Sequence, residues 1–320
     1  MEAAKPRDYF QVARVDHWVK QLFVLPGVIL AWVLGRSNLA PLSDLLFPIL
    51  VGLLATSLIA SANYLLNEWL DASYDRHHPL KSHRPFVLRN PNKTILLLEY
   101  FLLAATGLAL SATINSSVLW AQAVLLISGW TYNIRPIRTK DIPFIDVLTE
   151  SINNPIRFLI GWFVVTELII PPSSILIAYW MGGAFLMGIK RYAEYRTVES
   201  MEGEAALSAY RKVFNTYTGD RLLVTSFFYA LLSAFTMAVF LTKYRIEYLL
   251  LFPVLSALFA SYLRIALKPA SRAQAPEKLI HEKALWSIII LLLILFAICS
   301  FVDIPQLHIL IDPNLGILCI

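Results

Sequence analysis

Residues 45–66, LLFPILVGLLATSLIASANYLL, run without a charge, and residues 67–85, NEWLDASYDRHHPLKSHRP, follow at once with a dense polar cluster. A helix of the first length rises about 33 Å, enough to cross roughly 30 Å of hydrocarbon. The second stretch sets Glu68, Asp71 and Asp75 on that helix end and then supplies Arg76, His77, His78, Lys81, His83 and Arg84. Acids followed by bases at a membrane surface need a chemical reason.

The rest of the chain repeats the apolar pattern. Of its 320 residues 58% are hydrophobic and 15% charged, where soluble domains carry about a quarter charged; the mean hydropathy is +0.62. The polar residues are clumped, and nine apolar runs stand out near 19–35, 45–68, 94–113, 115–133, 143–167, 171–193, 221–241, 246–267 and 283–302. In a bilayer such runs must be helical, because lipid offers backbone groups no partner. The chain therefore reads as an all-α polytopic membrane protein, one integral domain over 1–320. The first run lacks a small-residue cleavage site, which argues against a cleaved signal. Two cysteines, Cys299 and Cys319, indicate neither a disulfide framework nor a metal site.

Loop charge sets the orientation. All but four of the 27 Lys and Arg residues fall in segments on one side of a nine-span topology. The exceptions are Arg36, Lys243 and Arg245 on the other side and Arg157 inside a span. The N-terminus is expected in the cytoplasm and the C-terminus outside. The net charge of +5 reads as this topology signal rather than as a nucleic-acid surface.

Asn67, Asp71 and Asp75 are spaced by four, so they share one face of the second span at its cytoplasmic end. Acids are disfavoured at a helix C-terminus by about 0.3–1 kcal/mol each, and carboxylates at i,i+4 repel. A divalent cation removes both objections: two carboxylates and an amide oxygen are hard ligands suited to Mg²⁺ shared with a diphosphate. Arg76, Lys81 and Arg84 would then take the phosphate oxygens that the metal leaves. A second acidic pair, Asp146 and Glu150, opens the fifth span in TYNIRPIRTKDIPFIDVLTE, at 131–150, just after Lys140. Acids are favourable at a helix N-terminus anyway, yet this pair faces the same side of the membrane as the first. Ordinary positive-inside charge accounts for the bases but not for their interleaving with acids.

With these residues in view, the chain resembles the UbiA superfamily of intramembrane prenyltransferases, most closely its decaprenyl-phosphate phosphoribosyltransferase branch. That branch carries N-D-x-x-D-x-x-x-D-R-x-H-P-x-K-x-x-R-P. Here the positions are Asn67, Glu68, Asp71, Asp75, Arg76, His78, Pro79, Lys81, Arg84 and Pro85, departing only at Glu68. Superfamily members acting on aromatic acceptors more often have valine and arginine where this chain has His78-Pro79 and Lys81. Further similarity lies in Arg14, Trp18 and Lys20, in Lys140, Pro143, Asp146, Arg157 and Gly161, in Lys190, Arg191 and Glu194, and in Arg211 and Tyr217. Departures occur at Val15, Gln21 and Lys283, and at Asn153-Asn154, where the branch tends to have Gly-Phe.

The resemblance implies a nine-helix bundle with a cytoplasm-facing cavity, in a bacterial cytoplasmic membrane and in cell-envelope synthesis. It implies Mg²⁺-dependent transfer of 5-phosphoribose from phosphoribosyl pyrophosphate to a polyprenyl phosphate. Asn67, Asp71 and Asp75 would hold the metal, with Asp146 and Glu150 holding a second or orienting the ribose; Asp71, Asp75 and Asp146 would be catalytic. Arg76, His78, Lys81, Arg84 and Lys140 would bind the donor. Lys20, Lys190, Arg191, Arg211 and Tyr217 would complete a second anionic subsite.

Arg157, a charge within a span, marks a functional position, as a phosphate ligand or as a structural partner of Glu150 or Glu99. Glu99 reads as structural, and the adjacent His77-His78 do not have zinc spacing. The rival enzyme reading is transfer of an isoprenoid from its diphosphate to an aromatic acceptor, which shares the aspartates and the metal. A transporter would place its ionisable groups near the midplane and often shows inverted repeats, whereas these concentrate on one face. The sequence leaves acceptor length and oligomeric state open, a homo-oligomer included.

Overall fold

The computed structural model describes residues 2–35, 41–76, 81–268, 271, 279 and 281–310. Arg36, His77, His78, Pro79 and Cys319, all named above, lie outside the described residues. Every regular element among those described is helical, and a single isolated bridge pairs Ala3 with Asn90. The α-helices are α1 (Pro6–Val12), α2 (Leu25–Leu34), α3 (Leu42–Asp75), α4 (Pro85–Leu88), α5 (Lys93–Ala112), α6 (Ser116–Asn133) and α7 (Ile145–Ser151). They continue with α8 (Asn153–Val165), α9 (Ser173–Glu202), α10 (Glu204–Tyr210), α11 (Gly219–Tyr244), α12 (Phe252–Ala266) and α13 (Lys283–Phe301). A 3₁₀ segment, Val15–Val24, joins α1 to α2, and another, Ile246–Leu251, leads into α12.

Seven helical stretches among the described residues are long and apolar enough to cross a membrane: Pro6–Leu34, Ser43–Asp75, Lys93–Ala112, Ser173–Met201, Gly219–Tyr244, Ile246–Ala266 and Lys283–Phe301. The other two of the nine expected spans are helical but more polar. In α6, Gln122 donates to Thr56 Oγ1 of α3 at 2.7 Å, and Ser128 donates to Asn153 Oδ1 at 2.6 Å. The run 143–167 is divided into α7 and α8 and carries Asp146, Glu150, Asn153, Asn154 and Arg157. Polar residues at these positions bond helix to helix, which is how membrane bundles use them.

The main packing pairs are α9 with α11, α3 with α5, and α2 with α8. The last pair is a backbone-to-backbone crossing. A Cβ at Gly27 would sit 2.0 Å from the Phe158 carbonyl oxygen, and one at Gly161 would sit 2.0 Å from that of Val24. Small residues permit this approach, as at other intramembrane interfaces. Large apolar side chains such as Phe47, Leu98, Phe101, Trp120, Phe227 and Leu293 point outward, the inverse of a soluble surface.

The two longest helices far exceed what a bilayer needs. With 34 and 30 residues, α3 and α9 rise about 50 and 45 Å, so each projects past the hydrocarbon. Their C-terminal turns emerge at the same end of the bundle, together with the 134–144 connection and the start of α7. The ionisable clusters are built there.

Candidate active site

The last turns of α3 meet the 134–144 connection. Lys140 Nζ sits among three side-chain oxygens: Asp71 Oδ1 at 2.5 Å, Asn133 Oδ1 at 2.8 Å and Asn67 Oδ1 at 3.4 Å. Arg138 reaches the same Asp71 oxygen at 3.0 Å and also holds Asp141 and the Asn133 carbonyl. To do so it adopts φ 28°, and Phe144 at the far end of the turn has φ 68°. A non-glycine residue in this region costs about 1–3 kcal/mol and persists only where its surroundings enforce it. One turn along α3, Asp75 pairs with Arg84 at 2.5 Å, and Lys81 stands 4.0 Å away.

Facing this layer is a second built around Arg191 of α9, a side chain only 2% exposed. Its Nε donates to Asp146 Oδ2 at 3.2 Å, one terminal nitrogen donates to Glu194 at 3.1 Å, and the other to Glu150. Lys190 adds a 3.6 Å pair to Glu150, and Arg211 a 3.5 Å pair to Glu194. The remaining oxygen of Asp146 accepts from the Tyr217 hydroxyl at 2.6 Å, and that hydroxyl in turn accepts from the Phe144 amide at 2.6 Å. Burial and the neighbouring Asp146 push the Tyr217 phenol up, so it stays a donor.

Tyr132 links the two layers. Its hydroxyl donates to Glu150 at 3.1 Å and accepts from Arg191 and Arg211, while Lys140 Nζ lies 5.8 Å from its ring centroid. On the other side, Lys81 is influenced by both Asp75 and Glu194. Burial pulls the Lys81 ammonium down to about 8 against the opposing pull of these carboxylates. Burial likewise holds Lys140 at about 8 despite Asp71. These groups lie inside the protein yet keep accessible surface, about a quarter of the side chain for Glu150 and Lys81. They line a polar cleft.

Most residues singled out from the sequence therefore meet: Asn67, Asp71, Asp75, Lys81, Arg84, Lys140, Asp146, Glu150, Lys190, Arg191, Arg211 and Tyr217. Arg76 is exposed beyond the last turn of α3. Lys20 contacts His17 Nδ1 at 3.0 Å, and Arg157 contacts Gln21, both away from the charged layers. Glu68, the departure from the branch motif, turns away from the cleft: it pairs with Arg14 at 3.5 Å and accepts from the Phe86 amide. Its extra methylene reaches the α4 end rather than the face that carries Asn67, Asp71 and Asp75. Sequence reasoning passed over Arg138, Asn133 and Tyr132. Their signal was proximity to Lys140 in the 131–150 loop, but only the turn at Arg138 brings them onto Asp71.

The two acidic sets differ as cation sites. The first already surrounds a cationic nitrogen with hard oxygens from Asn67, Asp71 and Asn133, so its donor set suits Mg²⁺. In the second, both oxygens of Asp146 are engaged and its side chain has no accessible surface; a metal there would have to displace a guanidinium. Among the described residues no three His, Cys, Asp or Glu side chains converge as a metal cluster, because bases stand between the carboxylates.

Known proteins share this architecture. Over 209 residues the chain is 27% identical to decaprenyl-phosphate phosphoribosyltransferase of Mycobacterium tuberculosis, covering 65% of each chain; it thus spans under two thirds of that relative's length. It is 27% identical over 132 residues to 4-hydroxybenzoate octaprenyltransferase of Vibrio cholerae, covering 41% of this chain and 45% of that one. In structure it is similar to a UbiA homolog from Archaeoglobus fulgidus bound to DMAPP and Mg²⁺, with a TM-score of 0.67, 22% identity, and coverage of 92% of this chain and 100% of that one. The model of the UbiA prenyltransferase family matches residues 22–288, and on that match the chain is a multi-pass membrane transferase belonging to the UbiA prenyltransferase family.

Proposed function

We propose that this chain transfers 5-phosphoribose from phosphoribosyl pyrophosphate to a polyprenyl phosphate, at the cytoplasmic face of a bacterial membrane. The observation that carries this reading is the number of buried and half-buried bases gathered around two carboxylate layers. Lys81, Arg84, Arg138, Lys140, Lys190, Arg191 and Arg211 all pair with carboxylates of these two layers. A prenyl diphosphate brings one diphosphate to these bases; a phosphoribosyl donor brings a diphosphate and a 5-phosphate, more anionic oxygens to neutralise. The mycobacterial relative's name points the same way.

Asn67, Asp71 and Asp75 would hold Mg²⁺, which supplies charge neutralisation to a departing pyrophosphate. The bases now paired with those carboxylates become donors to the donor's phosphates. Lys140 and Arg138 lie against Asp71, and Lys81 and Arg84 against Asp75, so each is already within reach. In the reaction an acceptor phosphate oxygen bonds to ribose C1 as the bond from C1 to the pyrophosphate oxygen breaks, and pyrophosphate leaves with the electron pair. The acceptor is already an anion, so no general base is needed. Arg191, fixed by three carboxylates, shapes the cleft wall on the α9 side, and Tyr217 holds Asp146 in place.

The Vibrio cholerae relative favours the second reading, prenyl transfer to an aromatic acid. Purified protein offered both pairs of substrates separates them. We expect phosphoribosylated lipid phosphate by mass spectrometry and no prenylated hydroxybenzoate; the reverse result would replace the first reading by the second.

A further inference from the structure

We propose a second anion site, for the phosphate of the lipid acceptor, formed by Arg157 and Gln21 on the membrane side of the charged cleft; it rests on the transfer reading above. Asp146, Glu150, Asn153 and Arg157 follow at intervals of four, three and four, so they form one polar stripe along α7 and α8. The stripe is bonded end to end: Asn153 Nδ2 donates to the Glu150 carbonyl at 3.1 Å, and Arg157 donates to the Asn153 carbonyl at 3.2 Å. Seven residues of rise place Arg157 about 10 Å deeper than Glu150. It sits within the bundle and is only half-buried by surface area, so its guanidinium is not fully enclosed by protein.

What distinguishes Arg157 from the bases of the cleft is its lack of a countercharge. Among the described residues no carboxylate pairs with it. Its Nε donates to Gln21 Oε1 at 2.8 Å, and its flanking groups are the neutral phenols of Tyr64 and Tyr179. An uncompensated cation in a protein interior is strongly destabilising and within membranes marks a ligand path. Gln21 adds an independent sign. It is 1% exposed, its oxygen is committed to Arg157, and its Nε2 is buried without an acceptor. A guanidinium with an unfilled edge beside an unfilled amide donor is a receptor for a tetrahedral oxyanion.

The surrounding segment indicates a lipid. Val15–Val24 is a 3₁₀ helix, so residues three apart share a side. Trp18, Gln21 and Val24 face inward, while Val19 and Leu22 point outward, 60% and 51% exposed. A headgroup on Gln21 and Arg157 would have an apolar outer face beside it for its tail, and the polar stripe would lead from the phosphate to the donor in the cleft.

The test is binding of farnesyl phosphate, farnesol and 4-hydroxybenzoate to purified protein in detergent. Wild type should prefer farnesyl phosphate over farnesol by at least about tenfold, the worth of one charge-assisted hydrogen bond. Arg157→Gln should erase that preference, Arg157→Lys should restore part of it, and Gln21→Leu should reduce it several-fold, while phosphoribosyl pyrophosphate with Mg²⁺ binds all four proteins equally. Should Arg157→Gln fail to fold, Gln21→Leu carries the test. Farnesyl phosphate bound as tightly by the variants as by wild type overturns the site and leaves the transfer reading standing. Arg157-dependent binding of 4-hydroxybenzoate with none of farnesyl phosphate overturns the lipid-phosphate assignment together with that reading.

Discussion

Asp71 and Arg191 show two ways of keeping charges inside this protein. Asp71 accepts from two bases that other anions can attract away, whereas Arg191 is fixed by Asp146, Glu150 and Glu194 and has almost no exposed surface. Replacing them should therefore have different effects. Asp71→Asn should cut turnover by at least about a hundredfold, since loss of even outer-shell metal partners costs 10–100-fold, and, because the amide oxygen still accepts from Arg138 and Lys140, should lower the unfolding temperature in detergent less than the loss of Arg191 does. Arg191→Ala removes the buried guanidinium shared by three carboxylates, leaving Glu150 to Lys190, Glu194 to Arg211 and Asp146 to Tyr217, and should destabilise by about 3–5 kcal/mol, seen as a large fall in unfolding temperature. A stable Arg191→Ala protein would show that the three acids do not depend on it. The two lysines near 8 give a pH dependence. Phosphate binding favours the protonated ammonium, so donor affinity is greatest below about pH 8 and falls as pH rises through that value. The donor KM should climb several-fold, roughly, between pH 7.5 and 9.5, and Lys81→Arg should flatten part of that rise.

Helices contribute register and reach. The i,i+4 spacing of Asn67, Asp71 and Asp75 places them on one face of α3, and the interval from Asp146 to Glu150 does the same on α7; both were readable from the chain because helical period alone determines them. The partners were not. Lys140 reaches Asp71 only because Arg138 takes a left-handed conformation and turns the 134–144 connection back on α3, and no local pattern in IRPIRTKDIPF announces that. Glu68 was similarly opaque: one residue from Asn67 in sequence, it points about 100° away around the helix and bonds Arg14 instead. The α2–α8 crossing is equally non-local. Gly161→Ala would drive a methyl group into the Val24 carbonyl, so it should lower the unfolding temperature markedly and displace Gln21 and Arg157, which flank the same crossing. An unchanged unfolding temperature would mean that the helices separate without cost.

Taken whole, the molecule gathers most of its ionisable side chains at one end of an apolar bundle, with a smaller set around Arg245, Glu247 and Asp303 apart from them. That asymmetry was visible as positive-inside charge, and the all-helical class followed from hydropathy. The number of crossings was less readable, because α6 and α7–α8 spend their polar residues on neighbouring helices and so lose the hydropathy of a lipid-facing span. A topology with the cleft in the cytoplasm predicts that Lys243→Cys, in a background free of Cys299 and Cys319, reacts with an impermeant maleimide added outside intact cells, and that Arg89→Cys does not. The opposite labelling would invert the molecule.

The most direct trial of the proposed chemistry is transfer of radiolabel from ribose-labelled phosphoribosyl pyrophosphate into the lipid phase, with polyprenyl phosphate and Mg²⁺, for wild type and Asp71→Asn, each with and without EDTA. The proposed reaction predicts label in lipid for wild type alone and only without EDTA. Label that persists with EDTA or in Asp71→Asn would contradict a metal-bound pyrophosphate at the end of α3, and no label under any condition would contradict phosphoribosyl transfer itself.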